Sequence, residues 1–203
     1  MKKTLTFSAL GIAAAIALAG CAGNTGSAAT NTMPGMGSGG MGMSSSAAPA
    51  AADHNAADIM FVQGMIPHHA QAVEMSDIML KKEGLDVRIT ALATKIKAAQ
   101  APEIEQMTQW LNSWNEPAQM AGGHGMGDGM MDDDDLKKLD AAQGTDAAKL
   151  FLTGMIAHHG GAVMMAKAEI SQGKNPDAIS LSKAIVTSQE AEIQEMKTLL
   201  ASL

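Results

Sequence analysis

Two stretches of fifteen residues hold the side chains with the clearest capacity for chemistry. Residues 61–75 read FVQGMIPHHAQAVEM and residues 151–165 read FLTGMIAHHGGAVMM, with nine identical positions at a constant offset of 90. Each copy contains Met-x-x-His-His, and together the copies hold four of the six histidines in the chain. Because imidazole and thioether groups are metal ligands, the repeated unit predicts metal binding.

Helical spacing places the repeated ligands on common faces. Positions three and four apart share one helix face, so Met65 can approach His68 or His69. Adjacent histidines point about 100° apart, so one of each pair can face a helix bundle while the other faces a groove or solvent. A second repeat, Gln-x-x-Glu-Ile-x-x-Met, occurs at residues 100–107 and 189–196 at an offset of 89. The predicted metal ligands are Met65, His68, His69, Met75, Glu103 and Met107 in the first repeat, and Met155, His158, His159, Met165, Glu192 and Met196 in the second.

The N-terminus predicts export and a lipid anchor. Residues 1–20 combine Lys2 and Lys3 with an apolar run that is too short to span a membrane, as in a secretory signal peptide. The Leu-Ala-Gly-Cys sequence that follows resembles a bacterial lipobox, which implies cleavage before Cys21 and lipidation of its thiol. The alternative is an ordinary signal peptide with a chance cysteine. The expected location is extracytoplasmic, in the periplasm or at the cell surface, with the lipid as the only membrane attachment.

Ligand chemistry then narrows the choice of metal. Cys21 is the only cysteine, so the exported chain has no free thiol for a disulfide, a thiolate metal site or thiol catalysis. Thioether sulfur is soft and selects Cu(I) or Ag(I), whereas imidazole accepts both copper oxidation states. The sequence therefore predicts copper, with Cu(I) favoured and Cu(II) or Ag(I) as alternatives. The competing interpretation is that the methionines of the histidine stretches only fill a core.

Methionine is abundant outside these stretches as well. The chain has 18 methionines against 3 phenylalanines, 2 tryptophans and no tyrosine. Residues 21–52 are rich in Gly, Ser and Ala and predict a flexible tether, and residues 117–131 predict a loose Met/Gly/His-rich loop. Low-complexity drift is one explanation of these tracts; mobile thioether groups that gather a soft metal ion are the favoured one. The predicted auxiliary ligands are Met33, Met36, Met41, Met43, Met120, His124, Met126, Met130 and Met131.

The apolar periodicity predicts an all-α domain over residues 53–203. Long helices are expected from an Asp53 or Asn55 cap to about residue 82, over 87–114, over 147–172, and from residue 176 to the C-terminus. A short helix is expected whose first turn is the acidic run 132–135 and which ends at Gly144, with Thr145 or Asp146 capping the next helix. Gly84 is expected at the C′ position of the first helix. Pro67 is expected to kink that helix and Pro102 to bend the second. Neither helical hairpin can bury its apolar face alone, which predicts a four-helix bundle of two repeated hairpins.

These motifs resemble a known family. Gly-Met-Ile-x-His-His-x-x-Ala-Val-x-Met occurs twice, each time followed by a helix with Gln-x-x-Glu-Ile-x-x-Met. This is similar to the bacterial family called domain of unknown function 305, which includes CopM-type periplasmic copper-binding proteins. The resemblance covers about residues 53–203. It implies a ferritin-like four-helix fold, an extracytoplasmic location, and a role in copper binding or tolerance through the twelve repeat residues named above.

Other functions remain open at this point. A ferritin-like bundle can house a metal-dependent oxidase, but no Glu in this chain is followed by His three residues later, as a di-iron site of that fold requires. A pH-sensing interaction module would use the histidines but leaves the methionine tracts unexplained. The formal net charge of −7, which becomes −9 when Lys2 and Lys3 are removed, argues against nucleic-acid binding. The leading prediction is a non-enzymatic copper-binding lipoprotein for tolerance, buffering or transfer to a copper-handling protein partner.

Overall fold

Five helices make up the part of the chain that the structure describes. The computed structural model describes residues 53–119 and 129–203 of the 203. Cys21, the predicted tether, Met120, His124 and Met126 lie outside these ranges. The helices are α1 (Ala56–Leu80), α2 (Val87–Trp114), α3 (Asp133–Ala141), α4 (Gly144–Gln172) and α5 (Pro176–Ala201).

The four long helices form a bundle of two hairpins. Helix α1 packs along α2, α4 packs along α5, and the two hairpins meet mainly where α1 packs against α4. The short helix α3 lies against α1 and α4. On the far side of the bundle, Lys95 of α2 pairs with Glu192 and Glu195 of α5 at 3.5 and 3.0 Å. The predicted all-α four-helix bundle built from a repeated hairpin is therefore confirmed.

Side-chain caps start three of the long helices. The Asn55 side chain accepts hydrogen bonds from the backbone N–H groups of Ala57 and Asp58 at 2.8 and 3.1 Å, and Asp58 accepts from the Asn55 N–H in return. This reciprocal capping box satisfies N–H groups that have no partner inside the helix. Asp86 caps α2, and Asn175 caps α5 ahead of Pro176. Of the two caps that the sequence allowed for α1, Asn55 is the one used.

Three predicted helix boundaries differ from the structure. Helix α1 ends at Leu80 with Lys81 as its C-cap, so Gly84 is not at C′; it lies in the turn before α2 with a φ of 68°. Helix α4 begins at Gly144, three residues earlier than predicted, and Gln143 precedes it without a side-chain cap. The reason is that α3 already ends at Ala141, with extended backbone at Ala142, which leaves no stretch for Gly144 to terminate. Asp146 instead sits in the first turn of α4, where the helix dipole favours a negative charge.

Both internal prolines lie within continuous helices. Helix α1 runs through Pro67, and α2 runs through Pro102 as predicted over its full length. Each proline removes one backbone hydrogen bond, which is the reason to expect a kink at that point. Both kinks stay predictions. Within the described ranges, no helix is both long and apolar enough to cross a bilayer.

The bundle interior contains two apolar clusters. The larger is built around Phe151, Leu152, Ile89 and Leu92 and receives Leu139 from α3. The smaller surrounds Phe61, Val62 and Leu111. Methionines contribute to both clusters, since their flexible side chains can fill irregular gaps in a core. The core therefore has soft sulfur atoms on both sides of its centre.

Candidate metal centre

The two histidine pairs meet inside the bundle. His68 and His69 on α1 and His158 and His159 on α4 are all fully buried. The rings of His68 and His158 lie with centroids 3.7 Å apart at an interplanar angle of 42°. The packing of α1 against α4 thus joins the two copies of the motif into one centre.

The second histidine of each pair contacts one glutamate carboxylate. His69 Nε2 lies 2.8 Å from Glu103 Oε2, and His159 Nε2 lies 2.8 Å from Glu192 Oε2. Among the described residues, the Nδ1 atoms of both rings are buried without a hydrogen-bond partner. If each Nε2 donates its proton to the carboxylate, each Nδ1 carries a lone pair directed away from the glutamate. A carboxylate–histidine pair of this kind is the usual outer support of a metal-binding imidazole.

Burial controls the charge of the centre. Burial, together with the neighbouring His68, lowers the pKa of His158 from 6.5 to about 2, so this ring stays neutral at physiological pH. Burial raises the pKa of Glu192, but its bonds to His159 and Lys95 outweigh this effect and the net pKa lies below the usual value. Neutral imidazole and ionised carboxylate are the states that metal binding requires. A ring that stays neutral near pH 6.5 is also unsuited to sensing pH in that range.

The six methionines predicted as metal ligands lie in the two apolar clusters, and each cluster contains methionines from both hairpins. Met65 and Met107 lie in the smaller cluster, and Met165 of the other hairpin packs against it. Met155 and Met196 lie in the larger cluster, together with Met75 of the first hairpin. Of these six predicted ligands, each cluster thus receives two from one hairpin and a third from the other, and the larger cluster also contains Met79. Five of the six are fully buried, and Met165 is partly exposed.

The structure therefore brings the predicted residues together in a particular arrangement. The four histidines lie at one centre, Glu103 and Glu192 bind histidine nitrogens, and the methionines lie in the two clusters. Within residues 53–119 and 129–203, no group of three or more His, Cys, Asp or Glu side chains is placed to hold a metal ion.

The contact between Gln71 of α1 and the segment just before α3 was not predicted. Gln71 forms two hydrogen bonds with the backbone of Met131: its Nε2 donates to the carbonyl at 2.9 Å, and its Oε1 accepts from the N–H at 2.8 Å. This holds Met130 and Met131, the two auxiliary methionines within the described ranges, close to α1 and α4. The second repeat has Gly161 at the position aligned with Gln71 and therefore lacks this side chain. This difference between the repeats is the sequence feature that indicates a separate role for Gln71.

A buried carboxyl pair at one end of the bundle was also missed. Asp58 of α1 and Glu169 of α4 are neighbouring carboxyl groups that can share a proton, and both side chains are buried. Asp58 also accepts the backbone N–H groups of Lys174 and Asn175. Burial and the Asp58 charge raise the pKa of Glu169 to about 8. Burial also raises the pKa of Asp58, but its bonds to Glu169 and to backbone N–H groups outweigh this and lower it below 3.8.

The chain is similar to proteins of known structure. The family described as domain of unknown function 305 matches residues 58–200. A DUF305 protein from Streptomyces coelicolor is 36% identical with a TM-score of 0.69, over 75% of this chain and 95% of that chain. A DUF305 fragment from Deinococcus radiodurans is 30% identical with a TM-score of 0.68, over 73% and 98%. Among curated proteins, none matches.

Copper-bound structures are among these relatives. CopM in its Cu(I)-bound form is 32% identical with a TM-score of 0.62, over 71% of this chain and 96% of that chain. CopM is also known in Cu(II)-bound and Ag-bound forms. Because the family match covers most of the chain and these relatives share its fold at 30% identity or more, the chain belongs to the family called domain of unknown function 305.

Proposed function

We propose that this protein is an extracytoplasmic copper-binding lipoprotein that captures Cu(I), and also Cu(II), through histidine and methionine side chains. Its role is copper tolerance, buffering or transfer to a copper-handling protein. The observation that carries the proposal is the meeting of two buried histidine pairs between two methionine clusters. Similarity to CopM, whose structures hold Cu(I), Cu(II) and Ag, supports the choice of metal.

The arrangement of donors matches both copper oxidation states. Imidazole nitrogen binds Cu(I) and Cu(II), whereas thioether sulfur favours Cu(I) and Ag(I). Glu103 and Glu192 act as orienting groups for His69 and His159 rather than as direct ligands, since their carboxylates already bind the Nε2 atoms. The roles of the six clustered methionines as ligands belong to this proposal.

The proposed location rests on the N-terminal sequence and on the relatives. Residues 1–20 and Cys21 have the pattern of a lipoprotein signal. The Streptomyces coelicolor relative is described as a secreted protein. A lipid on Cys21 would hold the bundle at a membrane through residues 22–52, so that the metal centre works outside the cytoplasm.

Copper titration of the soluble form beginning at Ala22 tests the function. Under anaerobic conditions and against a competing Cu(I) chelator, the protein should take up at least one Cu(I) per chain, and Ag(I) should displace it while Zn(II) should not. A form beginning at Asp53 should keep this tightly bound ion, because the histidine centre lies within the bundle, and should lose only additional ions held by the tether methionines. Failure of both forms to compete with the chelator would contradict the proposal.

The orienting role of the carboxylates gives a second prediction. Changing Glu103 and Glu192 together to Gln is expected to weaken Cu(I) binding about 10- to 100-fold, because a neutral amide supports the imidazole less strongly. The control changes Glu105 and Glu190 to Gln, which removes one exposed carboxylate from each of the same helices. Equal affinity of both variants, measured with the same chelator, would show that the two histidine-bound carboxylates do not act on the metal.

A further inference from the structure

The buried histidines raise the question of how an ion reaches them. All four rings are inaccessible to solvent, so an ion must first meet other groups. Beside His158, residues 129–131 cover the surface of α4 as a loop. Gly129 has a φ of 87°, and a Cβ added there would collide with the Ala157 carbonyl and lie 3.2 Å from the Cα of His158. Only glycine allows the loop to approach the histidine pair this closely.

The position of this segment is fixed on two helices at once. The paired hydrogen bonds from Gln71 hold the backbone of Met131 to α1, three residues beyond His68. At Gly129 the backbone of the same segment lies directly against the backbone of α4. Met131 therefore has a defined place between the two histidine-bearing helices.

A notch in α4 receives the sulfur atom of Met131. At Gly154, four residues before His158, an added Cβ would lie only 2.8 Å from the Met131 Sδ atom. The thioether thus occupies space that any other residue at this position would fill. The equivalent glycine of the first repeat, Gly64, differs, because its added Cβ would be 3.6 Å from the Met165 Sδ atom, an ordinary contact.

A cavity of about 260 Å³ lies beside this notch. Its walls include Met130, Met131, Asp135 and Thr153, together with the backbone of Gly154 and Ala157. Both methionines are partly exposed, in contrast to the buried histidines. Two thioethers make an environment that binds a soft cation by sulfur coordination. The Asp135 carboxylate is paired with Lys138 at 2.7 Å, so the methionine sulfur atoms are the donors on which the site depends.

We propose that this cavity is a distinct binding site for a soft monovalent cation, Cu(I) or Ag(I), at which the Met131 thioether receives the ion before it moves to the histidine pairs. The onward movement rests on the proposed function of the histidine centre; binding at Met131 does not. The site lies between solvent and His158, and its donors exchange ions without losing a proton, since a thioether carries none.

Methyl NMR tests binding at this site directly. The soluble form beginning at Ala22, labelled with ¹³C at the methionine methyl groups, is titrated with Ag(I), and Met131→Leu identifies the Met131 signal. We expect this signal to shift on addition of Ag(I), also in a variant with His68→Leu and His158→Leu. A Met131 signal that stays in place at saturating Ag(I) would overturn the proposed site.

Loading kinetics test the transfer role. Gly154→Ala should push the Met131 sulfur out of its notch, and the control Gly160→Ala adds a methyl group to the same helix where nothing lies within 4 Å. Transfer of Cu(I) from a coloured chelator, followed by rapid mixing, should be about 10-fold slower for Gly154→Ala and Met131→Leu, while the histidine centre reaches the same final occupancy. Gly160→Ala should load as fast as the natural sequence.

The outcomes separate this site from the histidine centre. Loading that stays fast in both Gly154→Ala and Met131→Leu would overturn the transfer role. A shifted Met131 signal in a protein that never transfers Cu(I) to its histidines would leave the site in place and refute the proposed function instead. Slower loading in the two variants alone, with unchanged final affinity, would support the site as the entry point.

Discussion

Replacing His68 and His158 together by Leu should reduce the affinity for Cu(I) by at least about 100-fold, since loss of a direct ligand costs more than the 10- to 100-fold effect of losing an outer partner. The two rings contact each other at the centre of the bundle, and leucine has a similar volume but no metal-binding atom. Because the pKa of His158 is already lowered to about 2, proton competition contributes little to its affinity near neutral pH. Anaerobic titration against a chelator measures the change.

A matched histidine outside the centre serves as the control. His54 stacks on Trp114 with ring centroids 4.6 Å apart and lies 3.9 Å from Glu116. His54→Leu should therefore leave copper affinity unchanged. A second pair of changes, His69→Leu with His159→Leu, asks whether the glutamate-supported rings are the stronger ligands. If neither pair weakens binding while circular dichroism remains native, copper does not bind at the histidine centre.

Replacing Glu169 by Gln should stabilise the protein above neutral pH by at least about 2 kcal/mol. The folded-state pKa of about 8 lies above the ordinary value of 4.5, so the natural protein keeps a proton on Glu169 that the unfolded chain releases. The stabilisation from this group is complete below pH 4.5 and is lost as the pH rises to 8. Glutamine donates a hydrogen bond to Asp58 at every pH, so the variant should not show this loss.

Denaturant unfolding between pH 4.5 and 9 measures the effect. The difference in free energy of unfolding between Glu169→Gln and the natural sequence should grow with pH, and this comparison cancels the opposite contribution of buried histidines such as His158. Glu190→Gln, which removes an exposed carboxylate paired with Lys167, is the control for the loss of a carboxylate at the surface. A constant difference for Glu169→Gln would mean that Glu169 is ionised in the folded protein throughout this range.

The fold follows from local sequence signals. The apolar period of each helix, the capping residues Asn55 and Asn175, and the internal repeat are all visible in the chain, and together they predict the helices and their pairing into hairpins. The predicted boundaries differ from the structure where a glycine can serve more than one conformational role. Gly144 begins α4 with a φ of 53°, whereas Gly84 lies in a turn with a φ of 68°. Both accept a left-handed conformation, so their residue type alone does not say where a helix stops.

Ligand type and helical spacing are local properties, so the predicted metal ligands could be named from the chain alone. The sequence could not assign partners across the bundle, because those depend on how α1 packs against α4. Only the tertiary structure pairs His68 with His158, directs Glu103 and Glu192 to histidine nitrogens, and places Met75 with the methionines of the opposite hairpin. It likewise brings Asp58 to Glu169 and Met131 to Gly154, where the repeat has no matching pair. Such contacts between distant residues arise from helix packing, which no spacing along a single helix encodes.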